Sequence, residues 1–120
     1  MSHEAYAQAQ KSNLAPRDAE YNAFAMATRA LLAAEKADRS DVNVLVDAIN
    51  KNRTLWRLLA KDCASEANQL PEMLRAQIIN LSRWVNSYSS DVIRKSESVA
   101  PLVDVNRIMM DGLAGQTTAR

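Results

Sequence analysis

The chain has little of what builds sheets, disulfides, metal centres or membrane spans. Of its 120 residues only two are glycine, Gly112 and Gly115, and only three are proline, Pro16, Pro71 and Pro101. A sheet protein needs frequent glycine, Asn-Gly or proline turns, and before Gly112 the prolines are the only such signals. Each proline suits the first turn of a helix, where its missing N–H costs nothing. A single cysteine, Cys63, excludes an internal disulfide and fits a reducing compartment. No run of about 20 apolar residues is available to span a bilayer. The start, Met1-Ser2-His3-Glu4-Ala5-Tyr6, lacks the basic and apolar regions of a secretory signal. A soluble, cytoplasmic protein is therefore expected, with no membrane contact. Neither sign of charge dominates: 15 Lys+Arg against 14 Asp+Glu give a formal +1. Such a chain has no bulk field to draw in nucleic acid, so any contact with RNA needs a local patch.

Catalytic chemistry is equally scarce. His3, the only histidine, has no second histidine to share a metal and no orienting partner near it. Cys63 continues an apolar helical stripe, which favours a buried structural thiol over a nucleophile. There is no phosphate loop, no serine elbow and no Glu-x-x-His pair, and the acids are spread singly. These absences argue against an enzyme, a metal site or a cofactor.

What is there is helical periodicity. Alanine is the commonest residue, and five helices are expected. The first covers roughly His3 to Lys11. The second starts at Pro16, carries Asp18 and Glu20 near its positive N-terminus, and runs to about Ala37 with a stripe of Tyr21, Phe24, Ala27, Leu31 and Ala34. The third follows Ser40 or Asp41, either able to cap it. Its stripe reads Val42, Leu45, Ile49, Asn52, Trp56, Leu59, Cys63, in alternating steps of three and four residues. The fourth begins at Pro71 with the stripe Leu74, Ile78, Leu81, Val85, Tyr88, Val92. The fifth begins near Val99 to Pro101, carries Leu102, Val105, and Ile108 or Met109, and stops at Gly112. The links are short, which favours antiparallel neighbours. The expected fold is all-α: a compact bundle of about five helices in a single domain over residues 1–115, with the third and fourth helices paired at its centre. Residues 116–120 are expected to be a disordered tail.

Two surfaces stand out. The fourth helix adds Ile79 and Trp84 to its main stripe, and the fifth adds Val103 and Met110 with Asn106 in line between them. Such residues are either a second buried face or the lining of an open groove. The methionines and tryptophans suit a groove, since methionine adapts to irregular partners and tryptophan anchors interfaces. The second surface is Arg53, Arg57 and Lys61, at four-residue spacing on one face of the third helix. They could touch RNA phosphates. A solvated face, with Asp62 and Glu66 nearby, fits the small net charge better.

The landmarks, taken in order, resemble the FlaF family of flagellar biosynthesis proteins of alphaproteobacteria. The likeness runs through Ala5-Tyr6, Pro16-Arg17 leading to Glu20-Tyr21, and Thr28-Arg29-Ala30-Leu31. It continues in Asn52-Arg53-x-Leu55-Trp56, Asp62-Cys63-Ala64, Leu70-Pro71-x-x-Leu74-Arg75-Ala76-Gln77-Ile78-Ile79 and Trp84-Val85. It ends in Pro101-Leu102-Val103-Asp104-Val105-Asn106-Arg107-x-Met109-Met110-x-Gly112-Leu113. The resemblance implies flagellin binding in the cytoplasm as a secretion chaperone, and promotion of flagellin synthesis and filament assembly. It also implies work alongside FlbT, a post-transcriptional regulator acting on flagellin messenger RNA. An RNA-associated or FlbT-associated regulator is the competing expectation, and self-association through a spare apolar face is a third.

Segments that become amphipathic helices only on assembly must have their apolar faces covered beforehand. A helical protein with a groove could cover them by helix-in-groove docking. The expected anchors are Ile79, Trp84, Val103, Asn106 and Met110.

Overall fold

The computed structural model describes residues 15–37 and 40–118, with side chains described over residues 18–37 and 40–114. Every regular element in them is a helix: α1 (Ala15–Lys36), α2 (Val42–Ala64), α3 (Glu72–Lys95) and α4 (Ala100–Thr118). Four helices stand among the described residues against the five expected; the segment expected as the first, residues 3–11, lies outside them. Each proline marks a helix start: Pro16 and Pro101 lie in the first turns of α1 and α4, and Pro71 occupies the N-cap position of α3. Asp41 sits at the N-cap of α2 but makes no side-chain cap bond. The end of α3 is set by Ser96, whose φ of 57° and ψ of 33° place it in the left-handed region.

Gly112 is not the stop expected of it. The helix continues through it to Thr118, so Gln116–Thr118 of the expected tail are helical. Glycine permits a left-handed terminus without forcing one. Continuing the helix carries Leu113, one residue later, into the core.

The helices pack closely as α1 on α2, α2 on α3, and α1 on α4. Contacts run antiparallel between α2 and α3: Arg53 meets Asn86, the Ser82 hydroxyl donates to the Trp56 carbonyl (3.2 Å), and Arg75 reaches the Cys63 and Ser65 carbonyls (3.4 Å each) at the far end. A guanidinium at these last carbonyls satisfies acceptors that the helix leaves open. The pairing of these two helices agrees with the expectation. The chain thus goes around a four-helix ring, with α4 returning against α1. Between α3 and α4 there is no comparable close packing, although only a short link joins them.

Phe24, Leu31, Ile49, Trp56, Ile78, Val85, Val92, Leu102 and Val103 fill the centre. Phe24 meets Trp56 edge to face, with centroids 5.4 Å apart and planes at 77°. Trp56 is sealed from solvent, so its indole N–H needs a partner, and it donates to Asn106 Oδ1 at 2.8 Å. Because the indole nitrogen can only donate, the Asn106 amide must turn its oxygen toward it. Its Nδ2 is then free to donate to Asn52 Oδ1 at 2.8 Å. The Asn52 Nδ2 at the end of this ladder has no partner.

The stripes of the first three described helices follow the expected phases, except that Tyr21 and Val42 are exposed. In α4 the phase differs. The inward face is Val99, Leu102, Val103, Asn106 and Leu113, while Ile108 points to solvent.

Candidate functional site

Helical periodicity gives α3 two distinct flanks beside its buried face. One, carrying Ile79, Ser82, Asn86 and Ser90, meets α2. The other carries Leu81, Trp84 and Tyr88, about half a turn around the helix. On α4 the same construction sets Met110 on the side of α1, where its sulfur lies 4.0 Å from the Thr28 hydroxyl. Val105 and Met109 fall on the opposite flank, and Ile108 lies beyond them on the solvent face. The second flank of α3 and this side of α4 therefore face each other across the gap between these two described helices.

That seam is apolar and incompletely covered. Leu81, Tyr88, Val105 and Met109 are half-buried, Trp84 is 38% exposed and Ile108 65%. Trp84 stacks on Tyr88 with centroids 5.2 Å apart and planes at 14°, which holds the indole on the rim. The Tyr88 hydroxyl donates to the Ser98 carbonyl at 2.6 Å and pins the seam at the α3–α4 link. Burial, with help from Glu97 and Asp91, pushes the Tyr88 phenol above its ordinary value, so it stays a donor. An apolar side chain at an exposed helix seam is the geometry on which another amphipathic helix can lie.

The five anchors expected from sequence do not form one surface. Val103 and Asn106 are core residues, which corrects the expectation that they line an open groove. Val103 packs among Leu102 and the central residues, and Asn106 is held by the Trp56 N–H and Asn52. Met110 is half-buried on the α1 side. Ile79 lies on the α2 side of α3, away from Trp84. Trp84 alone stands at the α3–α4 seam. Leu81, Tyr88, Val105, Ile108 and Met109 are the seam residues that the groove expectation omitted. The Trp84–Tyr88 pair, four apart on a helix, was the available signal.

Of the basic patch, Arg53 and Arg57 line an open cleft of about 350 Å³ between α2 and α3, and Lys61 does not. Arg83, from α3, is the third cation there. Arg53 is fixed by the Asn86 carbonyl (2.9 Å) and the Ser90 hydroxyl. Cys63 is buried, and its thiol is raised above its ordinary range by burial first and by Asp62 and Glu20 next. Among the described residues no group of three or more His, Cys, Asp or Glu could hold a metal, and no helix is long and apolar enough to cross a membrane.

Residues 2–113 match the model of a family described as flagellar protein FlaF, a span that takes in α1 to α3 and most of α4. No curated protein and no solved structure matches the chain.

Proposed function

The chain belongs to the FlaF family of flagellar proteins, and on that premise we propose that it binds flagellin before assembly. In this reading it is a cytoplasmic binding protein, not an enzyme. It shields an amphipathic segment of flagellin for secretion, and by doing so promotes flagellin synthesis and filament assembly, with FlbT as a second protein partner. The observation that carries the reading is the apolar seam between α3 and α4. The helices there are not closely packed, Trp84 stands part-exposed beside the seam, and Ile108 is exposed on the adjoining face of α4. A flagellin helix laid along the seam would bury these side chains together with Leu81, Val105 and Met109, completing the ring. Tryptophan and methionine are side chains that gain most from such burial.

Calorimetric titration with monomeric flagellin, at low and high salt, tests this. The expected result is binding that changes little with salt and is lost in Trp84→Asp. Absence of binding at both salts would refute flagellin as the partner. Binding of flagellin messenger RNA with steep salt dependence would favour the regulator that acts with FlbT on RNA.

A further inference from the structure

The flank of α3 opposite the seam carries a different chemistry. The cleft between α2 and α3 is rimmed by Arg53, Arg57 and Arg83 over a floor that includes Trp56, Ala60 and Ile79. Among the described residues the one ion pair recorded is Lys95–Asp91, so no carboxylate neutralises these three guanidinium groups. Arg57 and Arg83 are exposed and make no hydrogen bond, while Arg53 is anchored, with its Nε buried and unpartnered. Three uncompensated cations gathered over an apolar floor are unusual in a chain of net charge +1. We propose that this cleft is a docking site for an acidic amphipathic segment of a partner protein. Its Asp or Glu side chains would meet Arg57 and Arg83, and its apolar side chains would cover Ile79 and Ala60.

The chemistry selects a protein segment over a nucleic acid. A guanidinium fork grips a carboxylate and a phosphate equally well. Single-stranded RNA, however, takes much of its affinity from bases stacked on exposed aromatic rings. The one aromatic residue lining the cleft, Trp56, is buried with its N–H committed to Asn106. The half-buried Ile79 and Ala60 would be left uncovered by a phosphate backbone, whereas the apolar side of an amphipathic peptide covers them. The site lies apart from the seam, so it adds a second docking surface beyond the function proposed above.

A display library of short random peptides, panned in parallel on the intact protein and on its Arg57→Glu/Arg83→Glu variant, tests this. Both arginines are exposed and unpaired, so the variant should keep the circular dichroism of the parent; Arg57→Gln/Arg83→Gln gives the same comparison without charge reversal. The expected result is a pool retained by the parent and lost on either variant, rich in Asp and Glu alternating with apolar residues. A peptide resynthesised from that pool should bind Arg57→Gln/Arg83→Gln about ten- to a hundredfold more weakly, the loss expected for charge-assisted hydrogen bonds. Replacing its acids by lysine should abolish binding to the parent. Identical pools on parent and variants, or a discriminated pool without excess acids, would overturn the proposal. So would tight, salt-sensitive binding of a labelled single-stranded RNA that the variants lose. Because Trp84 is untouched, flagellin binding through the seam can fail or persist independently of these results.

Discussion

Replacing Asn106 by alanine separates a core residue from a surface anchor in one experiment. The Asn106 side chain accepts from the Trp56 indole and donates to Asn52, both at 2.8 Å, in a region closed to water. Alanine would leave the Trp56 Nε1–H and the Asn52 Oδ1 buried without partners. Each orphaned group costs about 1–3 kcal/mol. Some relaxation, or entry of a water, offsets part of this, and the small void adds to it. The expected loss is about 3–5 kcal/mol, a large fraction of the roughly 5–15 kcal/mol that holds a domain together. At this chain length that corresponds to a fall in Tm on the order of 10–20 °C. Urea unfolding followed by far-ultraviolet circular dichroism measures it, provided the m value is unchanged.

Asn52→Leu supplies the internal control. The Asn52 Nδ2 already lacks a partner, so its removal relieves one unsatisfied donor while orphaning the Asn106 Nδ2. The two effects oppose, and the net loss should be smaller, about 1–2 kcal/mol. An exposed residue would cost within about 0.5 kcal/mol on substitution. A loss below about 1 kcal/mol for Asn106→Ala would therefore refute the buried ladder and return Asn106 to the surface.

Three further outcomes follow from named contacts. Val103→Asp places a carboxylate among core residues and should cost more than about 3 kcal/mol, whereas Ile108→Asp, on the solvent face, should leave the melting curve nearly unchanged; equal effects on thermal unfolding would contradict the observed phase of α4. Ser96→Gly should raise stability by about 1 kcal/mol, since glycine carries no penalty in the left-handed region, while Ser96→Ala should give no gain; chemical denaturation of the two variants compares them. The Cys63 thiol, raised by burial, should resist a colorimetric thiol reagent until the chain unfolds. The folded state keeps this proton to higher pH than the unfolded chain, so its contribution is complete below pH 9.0 and is lost as pH rises beyond that; prompt labelling of the folded protein would show the thiol to be accessible.

How far the sequence could be read depended on whether a helix offered one apolar face or two. In α2 and α3 the large buried apolar residues fall on a single stripe, with Ile79 and Trp84 flanking it on α3. Ile49, Trp56 and Cys63, and Ile78, Val85 and Val92, are buried where the three–four spacing puts them. The scarcity of glycine and the placement of the three prolines likewise agree with the all-helical fold and with where its helices begin. In α4 both phases are apolar. Leu102, Val105 and Met109 make one stripe; Val99, Val103, Met110 and Leu113 make another, interrupted by Asn106. Taken alone, that asparagine argues against its own face as the core, because an unpaired buried amide is costly.

What reverses the preference is a residue 50 positions away. The Trp56 indole is buried on α2 and can only donate, and the Asn106 carbonyl oxygen is the acceptor it finds. The polar residue that speaks against the inward phase in isolation is thus the one that fixes that phase in the fold. The displaced stripe, Val105, Ile108 and Met109, is left beside Trp84 on the seam. The apolar surface that α4 leaves outside the core therefore follows from a hydrogen bond inside it. By the same reasoning, Asn106→Leu should destabilise the protein and blur the choice between the two faces of α4. Flagellin binding would then weaken without any change at the seam itself, whereas unchanged affinity in a destabilised Asn106→Leu protein would show that the core ladder does not set the docking face.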